Sequence, residues 1–338
     1  MQTKHLGRQT LCLANPPYIL AGGSVVGKKE GEGPLGPGFD YVCEDSYFGE
    51  KTWEKAESAL LQRCFSIACD KAHLAPSGLQ YIFGGDLLNQ CTASTFALRD
   101  CGVPFFGLYG ACSTMAESLS LAAMAVDGGF CDAAAAVSCS HFCSAERQFR
   151  FPLEYGGLRT PTAQWTVTGA GAAVLAAQGS GPRVTHVTTG CIVDAGITDA
   201  ANMGAAMAPA ALDTLKAHFE DTGRSPEDYD LIVTGDLGMI GRAALLELAA
   251  REDIDLEKNH MDCGLLIFDR NTQDVRAGGS GCGCCASVFC SLLLNGLRAG
   301  KWRRLLFAAT GALMSTTSSQ QGESIPGICH AVAVESEV

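Results

Sequence analysis

The stretch Pro104-Phe105-Phe106-Gly107-Leu108-Tyr109-Gly110-Ala111-Cys112-Ser113-Thr114-Met115-Ala116-Glu117-Ser118 decides how this chain folds. An apolar run stops at Gly110, and Cys112 follows inside a turn of small residues. From Met115 to Val126 the chain is almost all Ala, Ser, Leu and Met. That order predicts a strand, a tight turn and a helix buried on all sides, with Cys112 near the helix N-terminus. Backbone N–H groups without intrahelical partners, together with the positive end of the helix dipole, favour a thiolate or a bound anion there. The plainer alternative is a small buried cysteine in a chain rich in them. A second copy of the arrangement, later in the chain, favours the functional reading.

The 338 residues suffice for one large domain or two fused halves. With 47% hydrophobic and 18% charged residues, the chain builds a large globular core. A net charge of −12 argues against a nucleic-acid partner and leaves no basic membrane patch. No apolar segment is long enough to cross a bilayer, and Met1-Gln2-Thr3-Lys4-His5 is not a signal peptide. The expectation is a soluble protein, or one held at a membrane by a partner. Most of the 17 cysteines, among them Cys64, Cys69, Cys131 and Cys290, fall inside apolar segments. They read as reduced thiols filling a core in a reducing compartment.

Residues 1–50 look rich in turns, with a strand at Gln9–Cys12 and a loop around Gly31–Pro37. Trp53, Ala56, Leu60, Leu61, Cys64 and Ile67 share one face of a helix running to Leu74. A strand at Tyr81–Phe83 leads into Gly84-Gly85-Asp86, and a helix follows from Thr92 to Asp100. Cys131–Ser140 reads as a buried strand ending at His141, Glu146–Pro152 as a loop, and Gly169–Ala177 as a strand.

The second half repeats this order. After a helix at Met207–Glu220, closed by Gly223, Ser225-Pro226 answers Ala75-Pro76. Leu231-Ile232-Val233 answers Tyr81-Ile82-Phe83, and Gly235-Asp236-Leu237 answers Gly85-Asp86-Leu87, all at an offset of 150. Gly281-Cys282-Gly283-Cys284-Cys285, an apolar helix at Ala286–Leu297 and Gly300 answer Gly110-Ala111-Cys112, its helix and Gly129. There Gly281 and Gly300 share an offset of 171, and the strand Arg304–Thr310 answers Asp132–Ser138. A tandem duplication of a β/α unit explains the pattern. The halves are 1–178, carrying Cys112, and 179–338. Alternating strands and helices imply mostly parallel sheets covered by helices. Two wholly apolar helices pack best together between two sheets, with both N-termini at one central pocket.

This duplicated α/β arrangement, with a Cys opening a buried helix, resembles the thiolase and ketoacyl-synthase superfamily and its five-layer αβαβα fold. Over nearly its whole length the chain is more closely similar to the stage V sporulation protein AD family of spore-forming bacteria. The resemblance rests on Gly33–Gly36, Thr52-Trp53-Glu54, Gly85-Asp86-Leu87-Leu88-Asn89-Gln90, Phe106–Thr114 and Ala145–Arg150. It continues through Gly196–Asp199, Thr234–Leu237, Asn259–Gly264, Ala277–Cys282 and Glu323–Pro326. It implies a non-enzymatic protein that binds dipicolinic acid, as its calcium chelate, and helps load it into the developing spore. Implied partners are the membrane proteins of the stage V sporulation A operon and a second copy of the chain as a homodimer. The implied place is inside the cell, peripheral at the spore's inner membrane. No cofactor of the protein's own is implied; calcium enters only with the ligand.

A condensing enzyme of this superfamily pairs its nucleophile with His and with a second His or Asn. The matching places read Thr234-Gly235-Asp236-Leu237 and the neighbourhood of Cys282, and the place of a second thiolase Cys reads Thr310-Gly311-Ala312. Cys112 is therefore expected to be a vestigial nucleophile. An active acyltransferase using Cys112, with His141 or His260 as helper, is the competing reading, and a purely structural subunit is a third.

The expected ligand site contains Cys112, Ser113, His141, Asp86, Gln90, Arg147, Asp236 and Cys282. Helix N-termini at Cys112–Thr114 and Cys282–Cys285 each offer N–H donors worth roughly 0.3–2 kcal/mol toward an anion. Asp86 and Asp236 either cap a following helix or offer oxygens to calcium carried by the ligand. His141 either lines the pocket or is a bonded core histidine. Arg147 and Arg150 either neutralise ligand carboxylates or pair with Glu146 or Glu154. His260-Met261-Asp262-Cys263 and Cys282-Gly283-Cys284-Cys285 have zinc-like spacing. A hairpin of Gly264–Phe268 and Val275–Gly278 gives those cysteines a packing role instead, and no metal site is assigned.

Overall fold

The computed structural model describes residues 4–149 and 159–336. Its first half-sheet contains β1 (Tyr18–Gly27), β2 (Tyr81–Asp86), β3 (Phe105–Gly107), β4 (Ala133–Ser140) and β5 (Gly169–Ala176). They lie in the order β3-β2-β4-β5-β1. The second contains β6 (Arg183–Thr188), β7 (Leu231–Thr234), β8 (His260–Asp262), β9 (Arg304–Ala312) and β10 (Gly327–Glu335), ordered β8-β7-β9-β10-β6. The two orders are the same, strand for strand. In each, three strands run parallel and the fourth and fifth pair antiparallel. Gly129 and Gly300, matched by the repeat, both take positive φ, +73° and +69°.

The two sheets around the inner helices are joined at one edge. β1 and β6 meet antiparallel at Tyr18 and Arg183. Around that pair Ile19 N–H donates to Pro182 O (2.8 Å) and Val184 N–H donates to Pro17 O (3.1 Å). The half-sheets are thus continuous through one seam. The short strand Thr10–Cys12 crosses over and pairs antiparallel with β6.

Helices form the other three layers: α1 (Trp53–Lys71) and α2 (Thr92–Leu98) cover the first half-sheet from outside. Between the half-sheets lies α3 (Thr114–Asp127), and α4 (Phe142–Phe149) follows β4. On the far side are α5 (Met203–Thr222) and α6 (Gly238–Ala250). The second inner helix, α7, runs as Cys282–Val288, a π turn at Phe289–Leu293, and Leu294–Arg298.

Strand alternation sorts the side chains into layers. Ala134 and Ala136 of β4 join Leu231, Val233, Leu305 and Phe307 in the inner core with Met115, Leu119, Val288 and Phe289. Their neighbours Ala135 and Val137 face α1, while Ile232 and Leu306 face α5.

The sequence does not announce β1, because Gly22 and Gly23 make it read as a turn. Those glycines are there because the strand is pressed from both sides. A Cβ at Gly22 would lie 2.7 Å from Leu294 Cδ2, and one at Gly23 would lie 2.5 Å from Cys64 O of α1. Two further expectations fail. Glu146–Phe149 belong to α4 rather than to a loop, and Cys263–Leu266 form a helical turn, so the hairpin is absent. α7 also starts at Cys282, before the expected Ala286. Arg150 and Glu154 lie outside the described residues. All seventeen cysteines are without disulfides.

The same close approach recurs at Gly171, whose added Cβ would lie 2.2 Å from Ala286 O of α7. Gly171→Ala must push α7 off β5, so a loss of about 1–3 kcal/mol is expected from urea unfolding. Unchanged stability would show that the inner layer is loose there.

Candidate functional site

At the end of β3 the backbone makes a sharp turn, with Ala111 at φ +50°. Ser113 N–H and Ser113 Oγ both donate to Gly110 O (3.0 and 2.7 Å), and Thr114 Oγ1 donates to Ala111 O at 2.7 Å. Cys112 sits buried on this turn at the start of α3. The end of β9 backs onto it: a Cβ at Gly311 would lie 2.3 Å from Gly110 O. α7 arrives from the other side, and Cys285 Sγ donates to Cys112 O at 3.4 Å. The two inner helix starts therefore meet, as the duplication implied.

Their N–H groups are not both open to a ligand, however. Asp236, just beyond β7, occupies the start of α7. Its Oδ2 accepts from Gly281 N–H (2.9 Å) and Ser280 Oγ (2.8 Å), and its Oδ1 accepts from Thr310 Oγ1 at 2.9 Å. One turn on, Gly283 N–H donates to Ser140 Oγ at 3.1 Å. The anion that belongs at this helix end is built into the protein. Ser280 Oγ also lies 3.9 Å from Cys112 Sγ, linking the thiol to Asp236.

The expected thiolate at Cys112 is not what this setting favours. Burial pushes the thiol well above its usual range, and the nearby Asp236 and Cys282 push it further.

The other expected residues have defined places. Asp86 is buried and accepts from Leu88 N–H, Ser94 N–H (both 2.8 Å) and Ser94 Oγ at 2.5 Å, so it caps the turn into α2. Cys282 Sγ donates to Cys139 O at 2.9 Å. His141 is a bonded core residue: Nδ1 accepts from Cys143 N–H at 3.2 Å, which leaves Nε2–H to donate to Ser46 O at 2.8 Å. Burial lowers its pKa, so the ring is neutral. Gln90 lies exposed on a turn at φ +62°. Arg147 pairs with Glu54, not Glu146, and Glu146 pairs with Arg159. Ser113, as above, holds its own turn.

Several residues near the site escape a reading of the sequence. Glu57 of α1 accepts from Ser144 Oγ at 2.5 Å and from Cys139 Sγ at 3.6 Å, and burial raises its pKa, with Asp86 adding to the effect. Glu117 Oε2 is buried beside Gly110 and has no hydrogen-bond partner among the described residues. Asp262 accepts from Thr234 Oγ1 (2.7 Å), Leu237 N–H (2.8 Å) and Gly238 N–H (3.0 Å), capping α6. His260 Nε2 lies 3.1 Å from Thr234 Oγ1, and burial lowers the ring to about 3. The buried surroundings of Cys112 are therefore acidic and rich in hydroxyls.

Three parallel strands with an antiparallel pair, duplicated around two inner helices, define a thiolase-like protein. In fold the chain is similar to 3-oxoacyl-[acyl-carrier-protein] synthase III from Aquifex aeolicus VF5, at TM-score 0.56 and 14% identity over 94% of this chain and 99% of that one. It is also similar to a variant of OleA from Xanthomonas campestris, at TM-score 0.59 and 16% identity over 95% and 98%. Residues 7–335 match the model of the family Stage V sporulation protein AD. The chain is 43% identical over 332 residues to the stage V sporulation protein AD of Bacillus subtilis (strain 168), covering 98% of each. It belongs to the stage V sporulation protein AD family.

Burial pushes the Asp262 carboxyl up to about 7, and the charge of Asp236 also raises it. The unfolded chain gives up that proton near pH 4, whereas the folded chain keeps it to about pH 7. The resulting stability is full below about pH 4 and is lost as pH rises to about 7. Relative to wild type, Asp262→Asn is expected to gain on the order of 2 kcal/mol between pH 5 and pH 8. Unfolding at both pH values checks this, and a constant difference would refute it.

Proposed function

We propose that this sporulation-family protein is a non-catalytic receptor for dipicolinic acid, taken as its calcium chelate at the Cys112 turn. Family membership supports the sporulation role. The observation that carries the rest is the acidic, hydrogen-bonded setting of Cys112. Its hydroxyl neighbour Ser280 leads to a carboxylate, and the rings of His141 and His260 are bonded to Ser46 and Thr234. A nucleophilic thiol needs a base beside it. A bare dianion would be repelled by Asp236, while a chelate whose charge calcium has neutralised would not.

Calorimetric titration with dipicolinate tests this. Binding is expected to be at least about tenfold tighter with calcium than with chelator, and Cys112→Ala is expected to weaken it about fivefold by removing the thiol's packing contact with the ligand. No heat at millimolar ligand in either condition overturns the reading. The competing acyltransferase predicts a stable acyl adduct at Cys112 after incubation with acyl-CoA, visible by mass spectrometry.

The same proposal places the protein at the spore's inner membrane, held there by the membrane proteins of the stage V sporulation A operon. Among the described residues no helix is long and apolar enough to cross a membrane, so attachment goes through those partners. A second copy fits against β3, an edge strand paired only with β2, where Phe106 and Tyr109 are exposed. Light scattering is expected to show a dimer that Phe106→Asp converts to monomer; a monomeric wild type would refute this.

A further inference from the structure

We propose that Asp236, with Ser280 between, is a positioning residue that keeps Cys112 protonated, so that the thiol serves the site as a hydrogen-bond donor. The direction of the hydrogen bonds carries the inference. Ser280 Oγ donates to Asp236 Oδ2 at 2.8 Å, so its single proton points to the carboxyl. Ser280 Oγ then offers only lone pairs toward Cys112 Sγ, 3.9 Å away. The proton between sulfur and oxygen must come from the thiol. A thiolate there would face lone pairs with a carboxylate behind them.

Burial raises the Asp236 carboxyl, and the bonds it accepts from Gly281 N–H at 2.9 Å and Thr310 Oγ1 at 2.9 Å, at the positive end of α7, oppose that rise. The titratable groups facing Cys112 are Asp236 after β7, Cys282 and Cys285 of α7, and Tyr109 of its own turn. Each of these groups is neutral or negative, so none favours a thiolate. The polarity of the chain is the same whatever ligand the site takes, and the inference stands apart from the dipicolinate reading.

Thiolate ultraviolet absorbance of the full chain, with the titration of Cys112→Ala subtracted, tests the inference over about pH 6–10. The wild type is expected to show no Cys112-dependent step below about pH 9. Asp236→Asn is expected to bring the midpoint at least about one pH unit below the wild-type value. Ser280→Thr, which keeps the hydroxyl, is expected to retain the wild-type behaviour. A wild-type step at or below about pH 8.5 overturns the proposal. So does an Asp236→Asn titration indistinguishable from wild type, including absence of a step in both. If circular dichroism shows Asp236→Asn unfolded, Asp236→Ser removes the same charge and is read the same way; if that also fails, the wild-type step decides.

Discussion

The fold turns on a single buried carboxylate. Asp236 ties the start of α7 to Thr310 of β9 and to the hydroxyl beside Cys112. A carboxyl with no exposed surface is costly unless its oxygens are filled, and here three side-chain and backbone donors fill them. Because those donors lie on elements far apart in sequence, satisfying the carboxyl fixes how the inner helices meet. The Cys112 turn is then held by backbone contact with Gly311, where any larger residue would collide.

The architecture was legible because the duplication is written in residues that backbone geometry demands. Gly129 and Gly300 need positive φ after the inner helices, and the matched Pro76 and Pro226 open the same short turns before β2 and β7. The site was legible only in outline. Cys112 and Asp236 stood out, yet the hydroxyl between them did not, since Ser280 sits unremarked in a Gly- and Cys-rich run and acts across 168 residues. Asp262 was passed over for the His and Cys on either side of it. Both act through long-range hydrogen bonds, which local patterning does not encode. β1 was hidden for a different reason: the glycines that let two layers close on it are the signal for a turn.

A shared fold does not by itself carry a shared chemistry. The chain shares its architecture with 3-oxoacyl-[acyl-carrier-protein] synthase III and OleA at 14–16% identity, and architecture alone assigns no reaction. At the place where an anion would bind the second inner helix, this protein has supplied its own.

The crossover of Thr10–Cys12 onto β6 has a consequence for the order of assembly. Asp221 of α5 receives the N–H groups of Arg8, Gln9 and Thr10, at 3.0, 2.9 and 2.9 Å. Residues 8–10 can therefore be seated only after some two hundred residues beyond them have been made. Placement of the segment leading into Thr10–Cys12 waits on the second half, and contacts so distant along the chain make that closing step slow.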